Sequence, residues 1–124
     1  LMNAGGLKKA QVPTILASAL LLMGAVQAQA AETLEVSVEA RQGFRFEPST
    51  LEVPAGAEVV VRFENAGAMA HNVQFPEFDA GTGTIGSGKS ETVRFTAGES
   101  GTYEYLCDVP GHADAGMTGK ITVR

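Results

Sequence analysis

The chain has 124 residues, with nine Lys+Arg against fourteen Asp+Glu for a formal net charge of −5, two His, one Cys and no Trp. Apolar residues at 44%, charged residues at 19%, 15 Gly and 5 Pro describe one turn-rich globular domain and exclude collagen-like or disordered chains. A single Cys excludes an intramolecular disulfide, and two His exclude a three-histidine metal centre within one copy of the chain.

The first element in chain order is an address rather than part of a fold. Lys8 and Lys9 precede an uncharged stretch from Val12 to Val26, followed by the small-x-small triplet Ala28-Gln29-Ala30. A basic start, a short apolar run and such a triplet are the parts of a secretory signal peptide, so residues 1–30 are expected to be removed after Ala30, with Ala28 as the alternative. The run is shorter than the ~20 apolar residues that span a bilayer, so no stable membrane insertion is expected and the product should be periplasmic. Residues 31–124 then form the working domain. They keep all fourteen acidic residues but only seven Lys+Arg, a net charge of −7. That charge argues against nucleic acid as a partner. It suits a basic protein surface, or simply a solvated acidic coat.

From residue 34 the pattern is that of strands. Leu34–Glu39 alternates apolar and polar residues, as do Phe44–Phe46, Val59–Phe63, Val73–Phe75, Thr92–Phe95, Tyr103–Tyr105 and Ile121–Val123. Turn formers separate them at Glu47-Pro48-Ser49, Pro54-Ala55-Gly56, Asn65-Ala66-Gly67, Gly81–Gly88, Ala97-Gly98 and Pro110-Gly111. No long 3.6-period apolar stripe, internal repeat or linker is present. Seven or eight short strands at regular spacing predict an all-β, two-sheet antiparallel Greek-key sandwich.

Gly83–Ser90 matches the phosphate-loop pattern of Gly, four residues, then Gly-Lys-Ser. The chemistry of that loop needs a buried strand before it and a helix after it, whose N-terminal amides hold the phosphates. Here a period-2 strand follows, so the segment reads as a surface loop and not as a nucleotide site.

Chemistry concentrates in Tyr103–Met117. Cys107, His112 and Met117 are spaced five and five in the connection between two strands, and His71 stands upstream at the start of another strand. Each alone has an ordinary structural explanation, but the only Cys, both His and a Met can converge on one point. An unpaired thiol in an oxidising compartment is a liability unless something occupies it. Thiolate, two imidazoles and a weak thioether form the donor set of a trigonal blue-copper site. Zinc gains little from a thioether, and calcium and magnesium want oxygen. One copper ion per chain is therefore expected.

With Tyr-x-Tyr-x-Cys, Pro-Gly-His and Gly-Met in place, residues 31–124 resemble the cupredoxins, the small blue copper proteins. The five-and-five spacing is similar to the auracyanin and rusticyanin branches, and the Cys-x-x-Pro-Gly-His stretch resembles azurin. The resemblance implies His71, Cys107 and His112 as equatorial ligands and Met117 as the axial one. It also implies that Asn72 links the two ligand loops. Val109, which keeps its N–H, is expected to donate a second hydrogen bond to the Cys107 sulfur. The implied function is one-electron transfer by a monomer between redox partner proteins, such as a c-type cytochrome or an oxidase or reductase. They would dock at a surface-exposed His112 among Pro110, Gly111, Ala113 and Ala115, with Ala68 and Met69 nearby. An enzyme would need a further copper for which no histidine is left, and a copper-delivery protein would favour a more open site.

Overall fold

The computed structural model describes residues 32–124; the expected signal peptide lies outside the described residues. Nine strands follow in order: β1 (Thr33–Arg41), β2 (Arg45–Glu47), β3 (Thr50–Val53), β4 (Glu58–Asn65), β5 (Gln74–Phe75), β6 (Ala80–Gly81), β7 (Ser90–Thr96), β8 (Gly101–Leu106) and β9 (Thr118–Val123). One 3-10 turn, Pro76–Phe78, interrupts them. The strands form two sheets, ordered β2-β1-β4-β7 and β3-β9-β8-β5-β6. Among the described residues no helix is long and apolar enough to cross a membrane.

Period-2 alternation builds the core. In β4, Val59, Val61, Phe63 and Asn65 are buried while Glu58 and Arg62 are exposed. Leu34, Val36 and Val38 of β1 stand opposite Val59, Val61 and Phe63. On the other side Phe95 and Val93 of β7 face Val59 and Val61. Apolar side chains thus line the same face of three adjacent strands, and the second sheet covers them with Phe75, Tyr105, Ile121 and Val123, all at most 1% exposed. Aromatic rings bridge the layers: Phe46 lies 5.4 Å from Tyr105 and Phe75 lies 4.9 Å from Phe95, while Phe75 and Tyr105 stand 5.2 Å apart within the second sheet.

The two-sheet sandwich matches expectation, but its pairing is mixed rather than wholly antiparallel. β1 runs parallel to β4, and β3 runs parallel to β9. Alternation reports which face of a strand is buried and is blind to the direction of its neighbour. The link from β1 to β4 passes through β2 and β3, ample chain for the crossover that parallel strands need. The short strands β3 and β6 were not anticipated, because Thr50–Val53 sits between two turn signals and Ala80–Gly81 is too brief to show a period.

Tyr105 fixes how closely the second sheet can pack. Its hydroxyl donates to the Pro48 carbonyl at 2.8 Å. Burial first, and the Glu47 charge second, push its phenol well above the ordinary pKa. Its cross-strand partner is Gly119, where a Cβ would come within 2.2 Å of the phenol ring. Any side chain there must displace a fully buried ring. Gly119→Ala should therefore lower unfolding stability by about 1–3 kcal/mol in denaturant titrations, the usual range for an overpacked core. Gly98→Ala, where a Cβ meets nothing within 4 Å, should stay within about 0.5 kcal/mol.

Candidate metal centre

Two connections, β4–β5 and β8–β9, carry the predicted ligands. His71 lies within the β4–β5 connection and forms an isolated antiparallel bridge with Ile85: its N–H donates to the Ile85 carbonyl at 3.1 Å, and the Ile85 N–H returns a bond of 2.9 Å. Cys107 is the first residue after β8, and His112 and Met117 lie in the β8–β9 loop. That loop is closed by its own backbone. The Cys107 N–H donates to the Met117 carbonyl, the Met117 N–H to the His112 carbonyl, and the His112 N–H to the Val109 carbonyl, at 3.1, 3.1 and 3.0 Å.

The donor atoms of His71, Cys107 and His112 come together within 4.8 Å. The two Nδ1 atoms are 3.1 Å apart, and Cys107 Sγ lies 4.0 Å from that of His71 and 3.6 Å from that of His112. From these edges, the point equidistant from the three atoms lies about 2.1 Å from each, against about 2.0–2.1 Å for zinc–nitrogen and about 2.3 Å for zinc–sulfur bonds. The triangle therefore fits a first-row ion without rearrangement. Its donors are nitrogen and sulfur, the softness that suits copper and not calcium or magnesium. Met117 is fully buried, and its backbone is bonded to both Cys107 and His112.

Burial shapes the electrostatics. His71 is 3% and His112 6% exposed, and desolvation, followed by the neighbouring His112 charge, lowers the His71 pKa from 6.5. The neutral imidazole is favoured, and a neutral imidazole is the form that binds metal. Phe44 approaches His112 edge-on, with ring centroids 5.0 Å apart. Its φ of 57° is a left-handed conformation that costs a bulky residue about 1–3 kcal/mol.

Asn72 joins the loops as the resemblance implied. Its Nδ2 donates to Asp108 Oδ1 at 2.7 Å and to Thr84 Oγ1 at 2.9 Å, and its Oδ1 accepts from the Asp108 N–H at 2.9 Å. Two finer expectations need correction. Among the described residues, the hydrogen-bonding contacts of Cys107 Sγ are with the two imidazoles, and the expected Val109 N–H contact is not among them. Val109 serves the loop through its carbonyl instead. His112 is also more enclosed than a surface ligand. Pro110, Gly111 and Ala115 beside it are exposed, yet the histidine itself is buried.

Asn65 was missed as anything more than a turn residue. Its signal was available, because it occupies the inward register of β4 after Val59, Val61 and Phe63, where a polar side chain must find buried partners. Phe44 gave no such signal, since its role depends on the unusual backbone at Gly43 and Phe44.

The chain matches the cupredoxin-like domain family over residues 14–123. It is 38% identical to a plastocyanin of Lactuca sativa over 92 residues, covering 65% of this chain and 89% of the relative. It is 40% identical to rusticyanin of Acidithiobacillus ferrooxidans over 93 residues, covering 60% of this chain and 50% of the relative. Among solved structures, auracyanin B is similar at a TM-score of 0.71 and 26% identity, over 78% of this chain and 93% of that one.

The lowered His71 pKa has a sign that can be tested without metal. Between its folded pKa and 6.5 the unfolded chain binds more protons at this residue, so the His71 contribution to stability is present above about pH 6.5 and lost as the pH falls. Acidifying the metal-free protein from pH 7.5 to 5.5 should lower the Tm of wild type more than that of His71→Gln. Equal shifts would contradict the lowered pKa.

Proposed function

The chain belongs to the cupredoxin family, and from that premise we propose that it is a one-electron carrier with a mononuclear blue copper site. In this reading His71, Cys107 and His112 are the equatorial ligands and Met117 the axial one. The observation that carries it is the buried nitrogen–nitrogen–sulfur triangle, with edges of 3.1, 3.6 and 4.0 Å. When bound, copper supplies a Cu(I)/Cu(II) couple.

The rest is done by the chain. The triangle is set by backbone bonds within the β8–β9 loop and by the His71–Ile85 bridge, so the donors need not travel when the charge at their centre changes. A stiff donor set between the geometries the two oxidation states prefer keeps the rearrangement small, which is the requirement for fast transfer. Burial of all four side chains keeps water from the metal position and so disfavours substrate coordination. Both histidines of the chain lie in this one cluster, which supports a carrier over an enzyme with a second, catalytic copper.

The enclosed His112 serves as the electron port through exposed Pro110, Gly111 and Ala115 and through Met69, which is 50% exposed. Small side chains there allow close, brief contact with a redox partner such as a c-type cytochrome or an oxidase or reductase. Weak encounters of this kind bury little surface. The same proposal makes the protein a monomer that works in the periplasm as residues 31–124, after removal of residues 1–30.

Adding copper(II) to the protein should produce the intense blue of thiolate-to-copper charge transfer. Cys107→Ser should abolish the colour. Met117→Leu should keep the metal and raise the reduction potential, because the lost donor stabilises the more Lewis-acidic copper(II). A colourless protein whose thiol reacts freely in the presence of copper would refute the reading.

A further inference from the structure

We propose that Asn65 is a positioning residue for this copper site: its buried carboxamide fastens the loop before His71 to the segment carrying Ile85 and so sets where the His71 ring stands before metal binds. The inference rests on the reading of His71 as a ligand.

Asn65 ends β4 and is fully buried. Its Nδ2 donates to the Met69 carbonyl at 2.7 Å and to the Ile85 carbonyl at 2.9 Å, and its Oδ1 accepts from the Gly67 N–H at 2.9 Å. Both amide hydrogens and the amide oxygen are thus used, and none serves a strand ladder. Two of the bonds hold the backbone two and four residues before His71. The third reaches the Ile85 carbonyl, which also accepts the His71 N–H. One carbonyl is therefore shared by the ligand's own backbone and by the side chain that organises its loop.

The ring itself is close to this network. A Cβ at Gly67 would stand 3.3 Å from His71 Nε2 and 3.5 Å from Asn65 Oδ1, so the imidazole packs against the turn that the carboxamide holds. The main chain of Asn65 adds two bonds to the same backing segment. Its N–H donates to the Lys89 carbonyl at 2.9 Å, and its carbonyl accepts from the Gly88 N–H at 2.8 Å. Gly83–Ser90, whose Gly-Lys-Ser pattern imitates a phosphate loop, thereby acquires a different role as the support behind His71.

A carboxamide alone offers two donors and an acceptor on one short planar group. Aspartate keeps the acceptor but turns a negative oxygen toward two carbonyls, and alanine keeps nothing. Neither change touches the β1–β4 and β4–β7 backbone pairing, so ligand placement and fold can be separated experimentally.

The test compares wild type with Asn65→Ala and Asn65→Asp. In the metal-free wild type, the amide hydrogens of His71 and Ile85 should exchange slowly. In either variant they should lose protection while those of β4 and β7 keep theirs. Copper(II) affinity by chelator competition should fall about 10- to 100-fold, the usual effect of removing a group that orients a ligand, and the copper hyperfine splitting should change. Variants that fold, retain protection at His71 and Ile85 and bind copper as wild type does would overturn the proposal. Should neither variant fold, wild type decides: rapid exchange at both amides before copper is added would overturn it, and slow exchange supports it. A wild type that binds no copper would sink the copper reading instead, and the exchange comparison would still report on Asn65.

Discussion

Two imidazole nitrogens and a thiol sulfur held within 4.0 Å of one another, inside the protein, are the arrangement on which the rest depends. Groups that bind protons or metal are costly to bury, and that cost is offset when they satisfy one another or an ion. The scaffold supplies the confinement. A strand end and a self-bonded loop hold Cys107, His112 and Met117, while the bridge to Ile85 holds His71. Metal binding then requires loss of protons and little movement of chain, the condition under which a centre can change charge with small structural response.

The two sheets contribute by being stiff where the loops emerge. Phe46, Phe63, Phe75 and Tyr105 pack together in the interior, in the same core cluster as Cys107, and Tyr105 locks to Pro48 and leaves room only for glycine opposite it. Asn72 and Asn65 extend that rigidity outward. Asn72 spans from the His71 loop to Asp108, next to the thiol, and to Thr84. Asn65 spans from the turn before His71 to Ile85. Both connect through the segment after β6, so a stretch with no ligand of its own supports the histidine from two directions.

The candidate ligands could be picked out because the composition left few choices: one Cys, two His, and a Met five residues past a His. The sandwich was legible because alternation in β1, β4, β7, β8 and β9 reports burial directly. Strand direction was not, since parallel and antiparallel neighbours impose the same period, and the two parallel pairs depend on crossovers that only the fold reveals. Asn65 was hidden among turn formers although its place in the β4 register marked it as buried. Phe44 and the enclosure of His112 depend on a left-handed backbone at Gly43 and Phe44, which no residue type in the chain announces. The Val109 contact failed for a related reason: having an N–H does not determine where a loop points it.

The most direct measurement is X-ray absorption at the copper edge of the loaded protein, in the oxidised and the reduced state. The expected result is a shell of two nitrogens and one short sulfur in both, with nearly equal distances. A shell without short sulfur, or loss of one nitrogen on reduction, would contradict a donor set that the scaffold holds fixed while the electron comes and goes.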